Sequence, residues 1–259
     1  MRILVVEDNS VSRDLAMHML RQMGHEVSMA GNGREAVERQ AEKPFDLIVM
    51  DVWMPEMDGL EACRKIREGE VGTGKRTPII ALTAHAIRGD RDACLASGMD
   101  EYLTKPIRRQ ILVEAIQRVT SGTPSTASAS TGAAGESAPI PSVSAAPGKT
   151  ENILGPWVGA DADVLFKLGP VMIDSTKTSL ADLNRALAES AWVTLEREAH
   201  SLKGSLGIFH ASSTVATVKR IEDGARRRDG TTVAALLQQL ATELEQVHRE
   251  VLGRCASKS

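Results

Sequence analysis

The sequence predicts an α/β domain built on a doubly wound, five-stranded parallel sheet, followed by an all-α helical bundle. Three observations carry this. In residues 1–119, short apolar runs rich in β-branched side chains alternate with helical stretches, and several of these runs end abruptly on a polar or acidic residue. From Asp161 onward the hydrophobic period is helical throughout. Between the two, residues 120–150 are dominated by Ser, Ala, Thr, Pro and Gly, with Glu136 and Lys149 as the charged residues. The division expected is therefore a domain over 1–119, a flexible linker over 120–150 and a helical domain over 151–259. As a coil, such a linker spans about 30 Å on average.

Taken in order, Arg2 to Val6 is a first strand ending in Glu7-Asp8, and Ser10 is the expected cap of a helix to about Met23. His25 to Ala30 is the second strand, and Gly33 to Glu42 a helix that Pro44 ends from outside. The central stretch is Phe45 to Gly59: Leu47 to Met50 reads as a strand buried on both faces, stopping at Asp51, and Asp58 caps the helix that carries Leu60, Cys63 and Ile66. Pro78 to Leu82 is the fourth strand, closing on Thr83. A helix over Ala86 to Ser97 stops at Gly98, Glu101 to Leu103 is the fifth strand, and Lys105-Pro106 precedes a last helix to about Val119.

Composition narrows the function. The chain has 259 residues, 42% hydrophobic and 3% aromatic, with a formal net charge of -3. Residues 1–119 hold 17 basic and 19 acidic side chains and the remainder 14 and 15, so neither part is a basic, nucleic-acid-binding module. Cys63, Cys94 and Cys255 are odd in number and widely spaced, which argues against disulfides and a zinc site and for reduced thiols of a cytosolic protein. The first apolar run is too short for a signal peptide, and no run has the length of a membrane span. Gly69 to Lys75 imitates a phosphate-binding loop, but Arg76 stands where Ser or Thr should bind magnesium and a helix precedes it, so no ATP site is expected.

In a doubly wound sheet, ligands gather outside the carboxyl ends of the strands. Glu7, Asp8, Asp51, Thr83 and Lys105 all fall there. Three carboxylates at one place repel one another unless a divalent cation sits among them, and hard oxygen ligands beside an opening suit magnesium. Lys105 and the Thr83 hydroxyl offer a cation and a hydrogen-bond donor to phosphoryl oxygens, which makes Asp51 a carboxylate nucleophile toward a phosphoryl donor.

With Val-Val-Glu-Asp-Asn, Met-Asp-Val-Trp-Met-Pro-Glu-Met-Asp-Gly, Ala-Leu-Thr-Ala and Leu-Thr-Lys-Pro in place, residues 1 to about 119 resemble the receiver domain of two-component response regulators, a flavodoxin-like fold. The resemblance implies that Asp51 is the phosphoacceptor, that Glu7, Asp8, Asp51 and the backbone carbonyl of Trp53 hold Mg2+, and that Thr83 and Lys105 bind the phosphoryl group. It also implies a cis peptide before Pro106 and a switch in which Tyr102 turns inward as Thr83 moves; the residues alone read equally well as a half-buried strand aromatic. Trp53 and His85 are bulky neighbours of the site, expected to screen an acyl phosphate from water.

In the helical domain, Trp192, Leu195, Ala199, Leu202, Leu206 and Phe209 form one stripe, and Val233, Leu237, Leu240, Leu244, Val247 and Val251 another. With Leu180 to Ala188 before them and Val215 to Ala225 between, they predict an antiparallel bundle. His200 follows Ala199 and lies at the edge of its stripe, with Lys203, Gly204 and Gly207 along the same face. Glycine inside a helix costs roughly 1 kcal/mol relative to alanine, which suggests a surface that another backbone approaches. An accessible imidazole is a good phosphoryl nucleophile, and Lys203 can offset the charge it acquires. Ala199-His-Ser-Leu-Lys-Gly-Ser205 followed by Phe209-His-Ala resembles the histidine-containing phosphotransfer (HPt) domain, which implies that His200 is a phosphocarrier. His210 departs from the small residue often found after the Phe, either shaping partner choice or ending a helix. His18, His25 and His248 read as ordinary surface or core-edge residues, and Arg226 to Arg228 as a solvated helix end.

The function expected is a two-component phosphorelay intermediate, cytoplasmic, with no nucleic-acid partner and no membrane insertion. Asp51 takes a phosphoryl group from a sensor histidine kinase, and His200 exchanges phosphoryl groups with a downstream response-regulator receiver. The alternative is a phosphorylation-switched interaction module that binds a kinase or forms a receiver-mediated homodimer, with no relay through His200. A third reading, the tail of a hybrid sensor kinase, is disfavoured by a strand that begins almost at Met1.

Overall fold

The computed structural model describes residues 1–83, 88–121, 154 and 162–256. Of the expected linker, Thr120 and Ser121 are described, and residues 122–150 lie outside the described residues, as does His85. The elements run β1 (Arg2–Val6), α1 (Ser10–Gln22), β2 (Glu26–Ala30), α2 (Gly33–Glu42), β3 (Leu47–Asp51), α3 (Gly59–Glu70), β4 (Ile79–Thr83), α4 (Arg88–Ala96), β5 (Glu101–Thr104) and α5 (Arg109–Thr120). Four helices follow: α6 (Ala162–Ala188), α7 (Trp192–Ile208), α8 (Ser212–Arg226) and α9 (Gly230–Ala256).

The strands form one parallel sheet in the order β2-β1-β3-β4-β5. Every residue of β3 and β4 is buried, because these strands lie inside the sheet with helices on both faces, while the edge strand β2 keeps Glu26 exposed. The register aligns Val6 with Met50, Asp51 with Leu82, and Thr83 with Thr104, so the carboxyl ends of β1, β3, β4 and β5 finish at one level. The turn out of β3 is tight. A Cβ on Gly59 would lie 2.2 Å from the Asp51 carbonyl oxygen, so only glycine lets α3 begin against the strand end.

Alternation along the strands sends Leu4, Val6, Ile48, Met50, Ile79 and Ala81 to one face, against Ala62, Cys63 and Ile66 of α3. Ile3, Val5, Leu47, Val49, Ile80 and Leu82 go to the other, against α1 and α5. That second cluster does not end at the domain. It continues through α1 into the interior of the helical bundle, because α1 packs against α6 and α7. The expectation of two domains joined only by a linker is therefore incomplete: α1 serves two cores.

Two local expectations are corrected. Asn9, not Ser10, caps α1, its Oδ1 accepting from the Ser12 N–H at 3.0 Å; the side chain one residue earlier has the reach to the third N–H. The helix expected from Leu180 begins at Ala162 and runs through Pro170, which costs one hydrogen bond and reads locally as a breaker. Gly169 beside it allows α9 to come close, since a Cβ there would meet Val251 Cγ1 at 2.9 Å. Arg226 to Arg228 are exposed at the end of α8 (Ser212–Arg226), as expected of a solvated helix end. The Lys105–Pro106 peptide is cis, as the resemblance implies. Among the described residues no helix is long and apolar enough to cross a membrane.

Candidate functional site

Three carboxylates converge where β1 and β3 end. One oxygen each of Glu7, Asp8 and Asp51 lies within 4.8 Å of the others. Glu7 and Asp51 are buried, which makes the charged forms costly. Burial and the neighbouring Asp51 push Glu7 up to about 8 and Asp8 up to about 6. Lys105, projecting from the end of β5, answers part of this: its Nζ donates to Asp51 Oδ2 at 2.6 Å and lies 2.6 Å from Glu7 Oε2. Burial opposes the ammonium charge, but Asp51 and Glu7 outweigh it and hold Lys105 above its ordinary range. Buried Glu7 Oε1 has no hydrogen-bond partner among the described residues. An orphaned carboxylate oxygen in an all-oxygen cluster of excess negative charge fits a hard divalent cation.

The backbone N–H of Trp53 donates to Asp51 Oδ1 at 3.2 Å, and its side chain is about half exposed beside the site. Thr83 is buried at the end of β4. Tyr102 is half-buried on β5, with the Arg91 guanidinium 5.6 Å from its ring centre.

The second site sits on α7. The heptad-like stripe buries Leu195, Ala199, Leu202 and Leu206, which turns His200 to the edge. That edge is not open, contrary to the reading of an exposed face: the His200 and Lys203 side chains are 13% and 12% accessible. Both meet Glu222 of α8, a carboxylate that is 1% accessible. His200 Nδ1 lies 2.9 Å from Glu222 Oε1, Lys203 Nζ donates to Oε2 at 2.6 Å, and Arg226 Nη2 donates to Oε1 at 3.0 Å. Burial alone would raise Glu222, but the hydrogen bonds from His200 and Lys203 hold it down to about 2. An ionised carboxylate only accepts, so Nδ1 carries the hydrogen and Nε2 the ring lone pair. Lys203 therefore acts on the imidazole through Glu222.

The two sites face each other. A cavity of about 450 Å³ is lined by Asp8, Asp51, Trp53 and Lys105 from the sheet side and by His200, Ser201, Gly204, Glu222 and Arg226 from the bundle. The Trp53 and His200 rings lie 6.2 Å apart, tilted by 42°. Asn9 ties α1 to α7, donating to Ser205 Oγ at 2.7 Å, Ser201 Oγ at 3.0 Å and the Ser201 carbonyl at 3.4 Å. A Cβ on Gly204 would meet Ser12 Oγ of α1 at 3.8 Å, an ordinary contact, and one on Gly207 nothing within 4 Å, so neither glycine is required by a close backbone approach within the chain.

Sequence reasoning missed Glu222, Arg226, Asn9, Ser201 and Ser205. Glu222 had one available signal, an acidic residue placed among the buried positions Val218, Ile221 and Ala225 of α8. Asn9 had none beyond its cap chemistry. His210 takes a left-handed conformation, φ 58°, at the end of α7, and so ends a helix. His18 is half-buried and bonded to Gln22, and His248 is bonded to Thr176 at the bundle core edge.

A parallel sheet with an acidic cluster at its strand ends, set against a helical bundle that offers a histidine, fits the receiver and HPt domains that the sequence resembles. The response regulator receiver domain family matches residues 3–117 and the Hpt domain family matches residues 171–250, so this chain joins a receiver domain to an Hpt domain. Among curated proteins, probable histidine kinase 2 of Oryza sativa subsp. indica is 44% identical over 136 residues, covering 47% of this chain and 13% of its own length. The signal transduction histidine-protein kinase BarA of Escherichia coli (strain K12) is 39% identical over 122 residues, again 47% of this chain and 13% of its own. The chain thus spans about an eighth of the length of the relatives it matches. The solved receiver domain of the sensor histidine kinase PA1611 from Pseudomonas aeruginosa, which has magnesium in its active-site cleft, is 42% identical and covers 46% of this chain and 97% of that one, with a TM-score of 0.43.

Proposed function

We propose that this chain is a phosphorelay intermediate in which Asp51 and His200 exchange a phosphoryl group within one molecule. The observation that carries the reading is that Asp51 and His200 line one cavity, with the Trp53 ring beside the imidazole. A sensor histidine kinase supplies the group to Asp51, and His200 serves a further receiver of the same chemistry.

Glu7, Asp8, Asp51 and the Trp53 carbonyl would hold Mg2+, which when bound offsets negative charge on the phosphoryl oxygens. Lys105, already 2.6 Å from Asp51, would follow those oxygens on the opposite side, and Thr83 would donate to them. In transfer from aspartate, the His200 Nε2 lone pair attacks phosphorus, a P–N bond forms, and the P–O bond to Asp51 breaks with its electron pair returning to the carboxylate. The imidazole gains positive charge as this happens. Glu222 accepts a hydrogen bond from Nδ1 and so stabilises that charge. The reverse direction uses the same contacts.

The test loads full-length protein with radiolabelled acetyl phosphate in the presence of magnesium, in wild type, Asp51→Asn and His200→Gln. Label should reach Asp51 first, as a base-labile acyl phosphate, and then His200, as a base-stable and acid-labile product. Label on His200 at the wild-type rate in Asp51→Asn would sink internal exchange.

A further inference from the structure

Asn9 follows Asp8 in the chain, caps α1 and bonds to α7 just after His200. Its carboxamide is fully used. Oδ1 accepts from the Ser12 N–H at 3.0 Å, and the two hydrogens of Nδ2 are directed to Ser205 Oγ at 2.7 Å and Ser201 Oγ at 3.0 Å. Asn9 is 7% and Ser205 1% accessible, so the contact is screened from water.

Two consequences follow from that geometry. A buried amide that loses its acceptors bears the full cost of its desolvation. A helix with apolar side chains at 201 and 205 leaves this amide only the carbonyl of residue 201, at 3.4 Å, and is therefore disfavoured against one with hydroxyls there. Positions 201 and 205 also lie one turn apart on a single face of α7, immediately after His200. Engaging both serines sets the rotation of α7 about its axis, and with it the direction of the imidazole.

We propose that Asn9 is a specificity-determining residue of the transfer step: it recognises the hydroxyl pair Ser201 and Ser205 and sets the register that brings His200 to Asp51. The proposal rests on internal exchange between Asp51 and His200, and deepens it by naming what this receiver requires of the helix it docks. Asn9 touches neither reacting atom; it positions the partner helix.

The experiment measures the first-order rate at which label passes from Asp51 to His200 in full-length protein, counted on the loaded fraction only. Asn9→Ser keeps an N-cap oxygen for α1 while falling short of α7. Ser201→Ala with Ser205→Ala removes the acceptors from the other side, on helix positions where alanine is well tolerated. Each change should slow transfer about tenfold, the worth of a buried hydrogen-bond contact of this kind. The triple variant should be slowed by about the same tenfold factor and not by their hundredfold product, because both sides remove one shared interaction. Transfer at the wild-type rate in either variant, or effects that multiply, would overturn the assignment. Absence of transfer in wild type would instead defeat the internal exchange on which it rests.

Discussion

The Nδ1 atom of His200 on α7 lies 2.9 Å from a buried oxygen of Glu222 on α8, and the same carboxylate takes Lys203 and Arg226. One acidic residue thus fixes the imidazole tautomer and gathers the cations that surround it. In Glu222→Gln the charge is lost while the shape is kept, so His200 should accept phosphoryl groups about tenfold more slowly, in line with a lost charged hydrogen bond. Nitrogen NMR of the imidazole should show the Nδ1–H tautomer in wild type and a mixture in the variant. An unchanged tautomer with an unchanged rate would refute the positioning role.

Glu222 also predicts a pH dependence. Its carboxyl is held at about 2 in the fold against an ordinary value of 4.5. A depressed carboxyl contributes stability that is present above the unfolded value and lost as pH falls through the folded one. The difference in unfolding free energy between wild type and Glu222→Gln should therefore be largest above about pH 5, on the order of 3 kcal/mol. It should shrink steadily toward pH 2. Denaturant titrations of both proteins at a series of pH values check this, and a difference that does not vary with pH would contradict it.

The acidic cluster behaves with the opposite sign. Glu7 is raised to about 8 and Asp8 to about 6, so the folded protein holds protons there that the unfolded chain has released. Their ionisation destabilises the fold progressively as pH rises from the ordinary carboxyl range through those values. A divalent cation relieves that repulsion. Magnesium should raise the melting temperature more above pH 8 than below pH 6, and Glu7→Gln should reduce both the pH trend and the magnesium effect, as differential scanning fluorimetry would show.

Glycines that look alike in the sequence should respond differently. Alanine at Gly207 finds open space and at Gly204 an ordinary contact with Ser12 Oγ at 3.8 Å, so both substitutions should stabilise the bundle by about 0.5 to 1 kcal/mol. Gly204→Leu should instead push α1 away and slow transfer to His200. Alanine at Gly59 meets the Asp51 carbonyl at 2.2 Å and should disrupt the receiver outright. Melting temperatures of the four variants separate these cases.

Trp53 covers the side of the cavity beside the imidazole. Trp53→Ala should admit water and shorten the life of the Asp51 phosphoryl group severalfold, measured as decay of acid-stable label in a His200→Gln background. An unchanged lifetime would mean that the ring does not screen the site.

Much of this protein is legible without coordinates because the signals are local. The acidic ends of the strands at Glu7-Asp8 and Asp51, the Asp58 cap and the stripe around His200 each depend on residues within a few positions of one another. Together with the parallel-sheet pattern, they sufficed to place Asp51, Thr83 and Lys105 at one level of a sheet and His200 at the edge of a bundle. What they could not reveal is which surfaces meet. Glu222 reaches His200 from another helix, 22 positions away, and Asn9 reaches Ser205 across 196. No sequence period encodes a hydrogen bond of that separation. The apolar side of α1 reads as a face for the sheet alone, yet it also joins the bundle interior. The sequence by itself determined the two folds and the position of their candidate site residues, because burial patterns and strand ends follow from neighbours along the chain. The tertiary structure decided that Asp51 and His200 line one cavity, because only the packing of α1 against α7 brings the two separate edges together.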